Sequence, residues 1–166
     1  EANAAAGRVL FFARLYKEAE AEVRKALATD PLYPGHHFNA ALIQIQLGQL
    51  DGALESLEKA RGLGYLPLEL NLYRACIYAR QGRRQETGRI LTEAFNEAKK
   101  VYVSQASLAL VYAALNEREQ AIACLEKALA ERDGSLIFMG VHPFWDPVRG
   151  DPRFADLIGK IGLGSF

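Results

Sequence analysis

The sequence lacks several features that would point directly to a function. It has two cysteines, one methionine and one tryptophan, and its 20 Lys and Arg residues are balanced by 20 Asp and Glu residues. Cys76 and Cys124 show neither metal-ligand spacing nor the number expected of a disulfide framework, which favours free thiols in a reducing compartment. The balanced charge provides no field that would attract nucleic acid, an anionic membrane or a strongly basic partner.

Long apolar runs are missing as well. No run approaches the ~18 residues that a membrane span requires, and no signal peptide is visible. We therefore expect no membrane partner and a cytoplasmic location. Residue 1 is Glu rather than Met, so we expect the chain to be a fragment or a processed product of a longer protein.

What the sequence does contain is an internal repeat. Half of its 166 residues are hydrophobic, enough to bury a core in one compact domain or one short solenoid. Residues of similar type recur every 34 positions without a gap, and each such set of equivalent positions is called a repeat column. Four columns are Ala26, Ala60, Ala94 and Ala128; Val23, Leu57, Leu91 and Leu125; Gly7, Ala41, Ala75 and Ala109; Ala19, Ala53, Thr87 and Ala121. A fifth column, Arg14, Gly48, Gly82 and Asn116, favours residues that tolerate a left-handed conformation and predicts a tight turn.

The stretches before and after that turn predict two helices in each repeat. Small residues let two helices cross at ~8–10 Å, while Leu or Val one turn away fills the groove between them. One such pair cannot bury its apolar face alone, so successive pairs stack. The sequence thus predicts an all-α fold of stacked helix pairs. The alternative is an ordinary helical bundle whose segments are similar by accident.

The repeats resemble the tetratricopeptide repeat family. The segments "GRVL", "AALIQ", "ACIY" and "ALVY" correspond to its first helix, and "AEAEV", "ALESL", "TGRIL" and "AIACL" to its A-x-x-x-F pattern. The resemblance covers residues 1–135 in four units, at about 1–33, 34–67, 68–101 and 102–135. It implies a right-handed superhelical solenoid of helix-turn-helix repeats. The family's Trp is absent from the first helices, its terminal Pro is clear only at Pro31, and Thr87 replaces one crossing Ala.

Residues 136–166 break the repeat and predict a C-terminal cap with a short helix. Two Asp-Pro steps, at residues 146 and 151, each indicate a helix N-cap followed by Pro at the first helical position. The helix beginning at Pro152 places its apolar residues on one face: Phe154, Leu157, Ile158 and Ile161. Such a helix would cover the apolar flank of the last repeat. We also expect Trp145 to be at least partly buried against the fourth repeat.

The same tail admits a chemical interpretation, with His142 and Asp146 or Asp151 as an acid–base pair or as metal ligands. No nucleophile, second metal ligand or phosphate-binding glycine completes such a site. We therefore expect no catalytic residue, no metal and no cofactor. The tail also resembles segments that close tetratricopeptide repeat arrays in bacterial multidomain regulators, where the arrays are attached to winged-helix regulators, protein kinases or nucleotide cyclases.

The resemblance implies a binding groove lined by the first helices. Carried over column by column, it would hold Arg8, Phe11 and Phe12; Phe38, Asn39, Leu42, Ile45 and Gln46; Leu72, Tyr73, Cys76 and Arg80; and Ala106, Leu110 and Ala113. Some of these side chains are expected to pack between helices instead. In members that clamp a terminal carboxylate, the clamp columns correspond to Ala4, Arg8, Asn39, Glu69 and Tyr73 here. Only Asn39 fits that role and Glu69 would repel a carboxylate, so chaperone-tail binding is disfavoured.

Two further stretches have alternative interpretations. His36 and His37 are adjacent and point ~100° apart on a helix, so they are better helix-start residues than ligands of one ion. The segment "RQGRRQETGR", residues 80–89, could contact phosphate or an acidic peptide, but its simpler interpretation is a solvated turn.

These observations predict a non-enzymatic module that binds a protein or peptide in its concave groove, as part of a larger bacterial regulatory or scaffolding protein. The alternative is a sensory domain that controls an attached transcription regulator, kinase or cyclase through ligand binding or self-association. The first helix, within "ANAAAGRVLFFARL", is apolar around most of its circumference. It therefore predicts either a preceding helix or self-association through this surface.

Overall fold

The computed structural model describes residues 2–97 and 101–162. It is helical in both ranges, with α1 Ala2–Phe12, α2 Tyr16–Thr29, α3 Pro34–Gln46, α4 Leu50–Gly62, α5 Pro67–Arg80, α6 Arg84–Glu97, α7 Gln105–Ala114, α8 Arg118–Ala130 and α9 Pro152–Ile161. Two 3₁₀ turns, Gly134–Phe138 and Pro143–Trp145, lie between α8 and α9. No strand occurs within those ranges, and the predicted all-α fold of helical repeats is confirmed.

The chain divides into two compact units, residues 1–70 and 71–166. The division falls inside α5, so the first turn of this helix belongs to the first unit. The finer division into four repeats and a cap, and the right-handed superhelical path, stay predictions.

In the first unit, α1 packs on α2, α3 packs on α4, and both α1 and α2 also contact α3. The small residues of the repeat lie at these contacts, since Ala19, Ala41 and Ala53 are fully buried. At Gly7 an added Cβ would come within 2.9 Å of a Val23 methyl group. The columns read from the sequence therefore mark the places where helix backbones approach each other.

The turn predicted between paired helices is confirmed. Arg14, Gly48, Gly82 and Asn116 all have a left-handed backbone, with φ of 65°, 75°, 74° and 59°. Each turn is closed by two backbone hydrogen bonds; at the first, Arg14 N–H donates to Phe11 O and Leu15 N–H donates to Leu10 O. Glycine tolerates this conformation best, but Arg14 and Asn116 show that the local hydrogen bonds hold it without glycine.

In the second unit, α7 packs on α8, and α9 packs on α8. Ala109, Ala113, Ala121 and Ala128 are fully buried at these helices. Thr87, which replaces a crossing Ala in α6, is buried and donates its hydroxyl to the carbonyl oxygen of Arg83 at 3.0 Å. This bond satisfies the hydroxyl, so the substitution leaves no unpaired polar group in the packed helix.

The tail after α8 packs as predicted in one part and differs in another. Asp151 caps α9 by accepting a hydrogen bond from Arg153 N–H, and Trp145 is 4% exposed, so the cap at Asp151 and the burial of Trp145 are confirmed. The prediction that Asp146 is an N-cap is wrong, because Asp146 has a helical backbone and ends the turn Pro143–Trp145. His142 caps that turn instead, and both 3₁₀ turns contact α7.

Candidate binding surfaces

The predicted groove residues of the first unit fall into two groups on α1 and α3. The inner group is buried and consists of Phe11, Phe38, Leu42 and Ile45, with 3%, 7%, 9% and 1% exposed. The outer group consists of half-buried Phe12, Asn39 and Gln46 and exposed Arg8. Spacings of three and four residues place such side chains on neighbouring parts of one helix face. The first unit thus combines a packed apolar layer with side chains that solvent reaches.

Tyr65, in the loop between α4 and α5, extends this layer. Its ring stacks on Phe38 with the centroids 4.5 Å apart and an interplanar angle of 22°. Burial raises the pKa of Tyr65, the negative charge of Glu69 raises it further, and the positive charge of Arg8 opposes both. The half-buried phenol therefore lies within electrostatic range of one acidic and one basic side chain.

Glu69, in the first turn of α5, is a half-buried carboxylate. Burial raises its pKa above the ordinary value. Among the residues that the structure describes, Glu69 makes no hydrogen bond or ion pair. A half-buried carboxylate without such a partner is less favourable than a fully solvated one.

Two other polar groups of the first unit are also unsatisfied. Gln46 Nε2 and His36 Nδ1 are buried without a hydrogen-bond partner among the described residues. The His36 ring packs against Tyr33 with centroids 4.8 Å apart, and burial lowers the pKa of His36. His37 Nε2 donates to the carbonyl oxygen of Pro31 at 2.7 Å. Both histidines lie in the first turn of α3, which confirms them as helix-start residues.

The groove columns of the second unit are placed differently. Tyr73 is 9% exposed, and its ring meets Phe144 of the tail edge to face, with centroids 5.4 Å apart. The exposed Arg80 places its guanidinium 5.1 Å from the centroid of the same Phe144 ring. Phe144 itself is 2% exposed. The other first-helix residues named for this unit, Leu72, Ala106, Leu110 and Ala113, are buried. The tail therefore contacts two of the column residues that the sequence assigns to a partner, Tyr73 and Arg80.

Cys76 lies in the interior of the second unit, with 1% of its surface exposed. Burial raises the pKa of its thiol to about 12, although the charge of Arg80 acts in the opposite direction. A thiol in this state is neither a nucleophile nor an accessible contact at neutral pH. Cys76 is thus placed as a packing residue.

His142 has a structural role in the tail. Its Nδ1 accepts a hydrogen bond from Phe144 N–H at 3.4 Å, and its ring lies 5.2 Å from that of Phe144. Burial lowers the pKa of His142 to about 4, against the opposing effect of Asp146. Over the described ranges, no group of three or more His, Cys, Asp or Glu side chains is arranged to hold a metal ion.

The arginine-rich stretch at residues 80–89 is largely paired within the second unit. Arg83 pairs with Glu86 at 2.8 Å, Arg84 with Glu117 at 3.3 Å and Arg89 with Glu93 at 3.9 Å. Arg83 also lies over the Tyr78 ring, 4.2 Å from its centroid. These contacts favour the solvated-turn interpretation over a phosphate-binding one, because the cationic groups already have local partners.

A second surface of the first unit was not predicted from the sequence. A cleft of about 260 Å³ opens between α2, α3 and α4, and its polar lining includes Glu20, Arg24, His37, Gln44, Ser56 and Lys59. Ser56 Oγ donates to Gln44 Oε1 at 2.8 Å, so these two polar groups satisfy each other. The residues that line this cleft lie on different repeat columns from the groove positions. No sequence pattern indicated that they would form one surface.

Paired helices, left-handed turns at a fixed interval and small residues at the crossings define a helical-repeat protein. The sequence model of the tetratricopeptide repeat family matches residues 37–61 and 103–132, one segment in each unit. These two matches support a tetratricopeptide repeat domain, as the sequence predicted. No curated protein matches the chain.

Tetratricopeptide repeats generally mediate protein–protein interactions, and the family is typically non-catalytic. In residues 2–97 and 101–162, no helix combines the length and apolar character needed to cross a bilayer.

Proposed function

We propose that this chain is a non-enzymatic module that binds a protein or peptide through the first-helix face of its first unit. The observation that carries the proposal is the outer group of Arg8, Phe12, Asn39 and Gln46 beside a buried layer on α1 and α3. Because packing fixes that layer before a partner arrives, little order has to be created on binding. The role of tetratricopeptide repeats in protein interactions supports the same conclusion.

The second unit is a weaker candidate for the same role. A partner that used the buried Tyr73 would first have to displace Phe144, which packs on its ring and is 2% exposed. Burying a Phe side chain contributes roughly 1.5–3 kcal/mol, so this displacement would reduce the affinity considerably. The wider groove that includes Tyr73, Cys76 and Arg80 stays a prediction.

The biological setting is part of the proposal. We place the module in a larger bacterial regulatory or scaffolding protein of the cytoplasm, on the sequence resemblance of its tail. Self-association through α1 also stays a prediction, and Val9, 68% exposed, is an apolar side chain that it would use.

A phage-displayed library of random peptides, selected on the full chain, tests the binding role. The affinity of a selected synthetic peptide would be measured by isothermal titration calorimetry. Phe12→Ala is expected to weaken binding roughly tenfold, since aromatic anchors dominate interface energies. Asn39→Ala is expected to weaken binding less, by the loss of one polar contact.

Glu55→Ala provides the control, because Glu55 is exposed on α4. It should leave the affinity unchanged, and circular dichroism should show that every variant keeps its helicity and melting temperature. Failure to select any peptide, or an affinity that only Glu55→Ala reduces, would contradict the proposed function.

A further inference from the structure

The cleft between α2, α3 and α4 lies on the opposite side of α3 from the proposed peptide-binding face. Helix α3 contributes His37, Ala40 and Gln44 to the cleft, at spacings that follow one helix face. The groove positions Phe38 and Leu42 lie on the other side of this helix, because successive residues of an α-helix are ~100° apart. A molecule bound in the cleft would therefore leave the peptide-binding face free.

The cleft is small, and much of its lining is apolar. Val23 and Ile43 form the most deeply buried part of the lining, each with 2% exposed, and Leu27 and Ala40 are half-buried. The volume of about 260 Å³ equals that of about nine molecules of liquid water. This is just below the ~300–1,000 Å³ of typical small-molecule sites. The space thus fits a short apolar group rather than a large cofactor.

One hydrogen-bonded polar pair belongs to the same lining. Ser56 is 9% exposed, and its Oγ donates to Gln44 Oε1 at 2.8 Å. This bond fixes the orientation of the Gln44 amide. Over the described ranges, Gln44 Nε2 donates to no other group, and it is not closed off from solvent. The amide nitrogen therefore remains a donor for an acceptor that enters the cleft.

The charged side chains of the lining have an excess of one positive charge. Glu20 and Arg24 form an ion pair at 3.1 Å within α2. Lys59 of α4 is exposed, and it makes neither a hydrogen bond nor an ion pair with any residue that the structure describes. Lys59 follows Ser56 by three residues, so the two side chains are neighbours on one face of α4. The ammonium group thus belongs to the same side of the cleft as the Ser56–Gln44 pair.

An anion in this cleft gains more from Lys59 than it would gain in open solvent. Apolar walls beside a charge focus its field and reduce the screening by water. A hydrogen bond between an ammonium group and a carboxylate is also roughly twice as strong as a neutral one. An inorganic ion would leave the apolar lining in contact with water, whereas an apolar group attached to the anion would cover it.

We infer that the cleft binds a small organic carboxylate, at a site additional to the proposed peptide-binding face. The carboxylate pairs with the Lys59 ammonium group and accepts a hydrogen bond from Gln44 Nε2. The apolar group of the ligand packs on Leu27 and Ala40. A free aliphatic or aromatic acid suits this lining better than an Asp or Glu side chain of a partner protein, because those side chains carry little apolar surface.

Two-dimensional ¹H–¹⁵N NMR of the full chain tests the site, with isovalerate, hexanoate and phenylacetate as ligands. At least one acid should shift the amide signals of α2, α3 and α4 at concentrations up to about 10 mM, where a millimolar dissociation constant is measurable. Isovaleramide, hexanamide and phenylacetamide keep the shape of these acids but lack the charge. They should bind at least about tenfold more weakly.

Variants of the lining identify the groups that bind the acid. Lys59→Gln should weaken binding about tenfold, whereas Lys59→Arg should retain it. Ala40→Leu places a larger side chain in the cleft and should also weaken binding, without a change of charge. Lys17→Gln is the matched control, because Lys17 is exposed on α2 outside the cleft. It should leave the affinity unchanged, and every variant should keep its circular dichroism spectrum.

Several outcomes would overturn the inference. They are the absence of shifts with all three acids, equal affinity for an acid and its amide, and binding that Lys59→Gln leaves unchanged. Shifts caused only by N-acetyl-glutamate N-methylamide would assign the cleft to a side chain of a partner protein and would overturn it as well. Phe12→Ala should leave acid binding unchanged, so the result is independent of the peptide-binding test.

Discussion

Asn39 on α3 and Tyr73 on α5 occupy the same column of the repeat, one step of 34 residues apart. In the first unit Asn39 is half-buried. In the second unit Tyr73 is 9% exposed and contacts Phe144 of the tail. A repeat column thus fixes the side of the helix on which a residue lies, but not what covers it.

The difference has a physical origin in the tail. The irregular segment after α8 carries large apolar side chains that need burial, among them Met139, Phe144 and Trp145, with 0%, 2% and 4% exposed. First-helix surface of the second unit provides that burial. The segment therefore stabilises the second unit at the cost of accessible surface, while the first unit keeps its outer residues available.

Among the substitutions that test this comparison, Phe144→Ala should have the largest effect on the free energy of unfolding. Removing a buried Phe side chain typically costs about 3–5 kcal/mol, because apolar burial is lost and a cavity is left behind. We expect the free energy of unfolding to fall by about 3 kcal/mol in urea denaturation followed by Trp145 fluorescence. Phe12→Ala in the first unit, at a half-buried position, should cost less than about 1.5 kcal/mol. Equal losses in both variants would remove the distinction between the two faces.

His142→Asn should have the next largest effect on the free energy of unfolding, and it should do so only at acidic pH. The pKa of His142 is about 4 in the folded chain and about 6.5 in an unfolded one, so the unfolded chain binds more protons between these values. Stability should therefore be complete above pH ~6.5 and fall by up to about 3 kcal/mol as the pH is lowered to ~4. Asn can still cap the turn Pro143–Trp145 by accepting a hydrogen bond from Phe144 N–H, but it does not titrate.

Urea denaturation from pH 7 to pH 4 measures this effect. The variant should show a flatter stability profile over that range than the natural chain. His36 of the first unit also has a lowered pKa, because of burial, and serves as the comparison. A profile unchanged by His142→Asn would show that the tail histidine does not control the acid sensitivity.

Arg80→Gln should have the smallest effect. The guanidinium of Arg80 lies 5.1 Å from the Phe144 centroid, and an exposed cation–π contact contributes about 0.5–1 kcal/mol. The variant should lower the free energy of unfolding by that amount, and Arg80→Lys should lose less. Arg8→Gln in the first unit should change stability by less than about 0.5 kcal/mol, as is usual for surface substitutions. A larger loss from Arg8→Gln would indicate that Arg8 stabilises the first unit.

Regular features of the fold could be predicted because they depend on local chemistry. The small residues and the left-handed turns recur every 34 residues, and the helix crossings and turn conformations of the structure follow them. Asp151 could be assigned as a cap because Asp before Pro has a defined role at a helix start.

The remaining features depend on where irregular segments pack. Nothing in the local sequence indicates that Phe144 meets Tyr73, or that Tyr65 stacks on Phe38 from the loop before α5. Asp146 carries the same Asp-Pro signal as Asp151, yet it ends a turn, because His142 and Pro143 begin that turn first. Cys76 shares a column with exposed Arg8 and with buried Leu42 and Leu110, so the column alone does not place it in the interior.

The closed turns at Arg14, Gly48, Gly82 and Asn116 also have a consequence for how the chain folds. Each is completed by hydrogen bonds between residues at most five apart in sequence. Reversing the chain in this way requires no distant segment, so little loop entropy is lost before the paired helices meet. Domains rich in such short-range contacts fold within microseconds to milliseconds, and stacked repeats nucleate at any pair and propagate to the next. The order of folding events is therefore set by the relative stabilities of the helix pairs rather than by the order of synthesis.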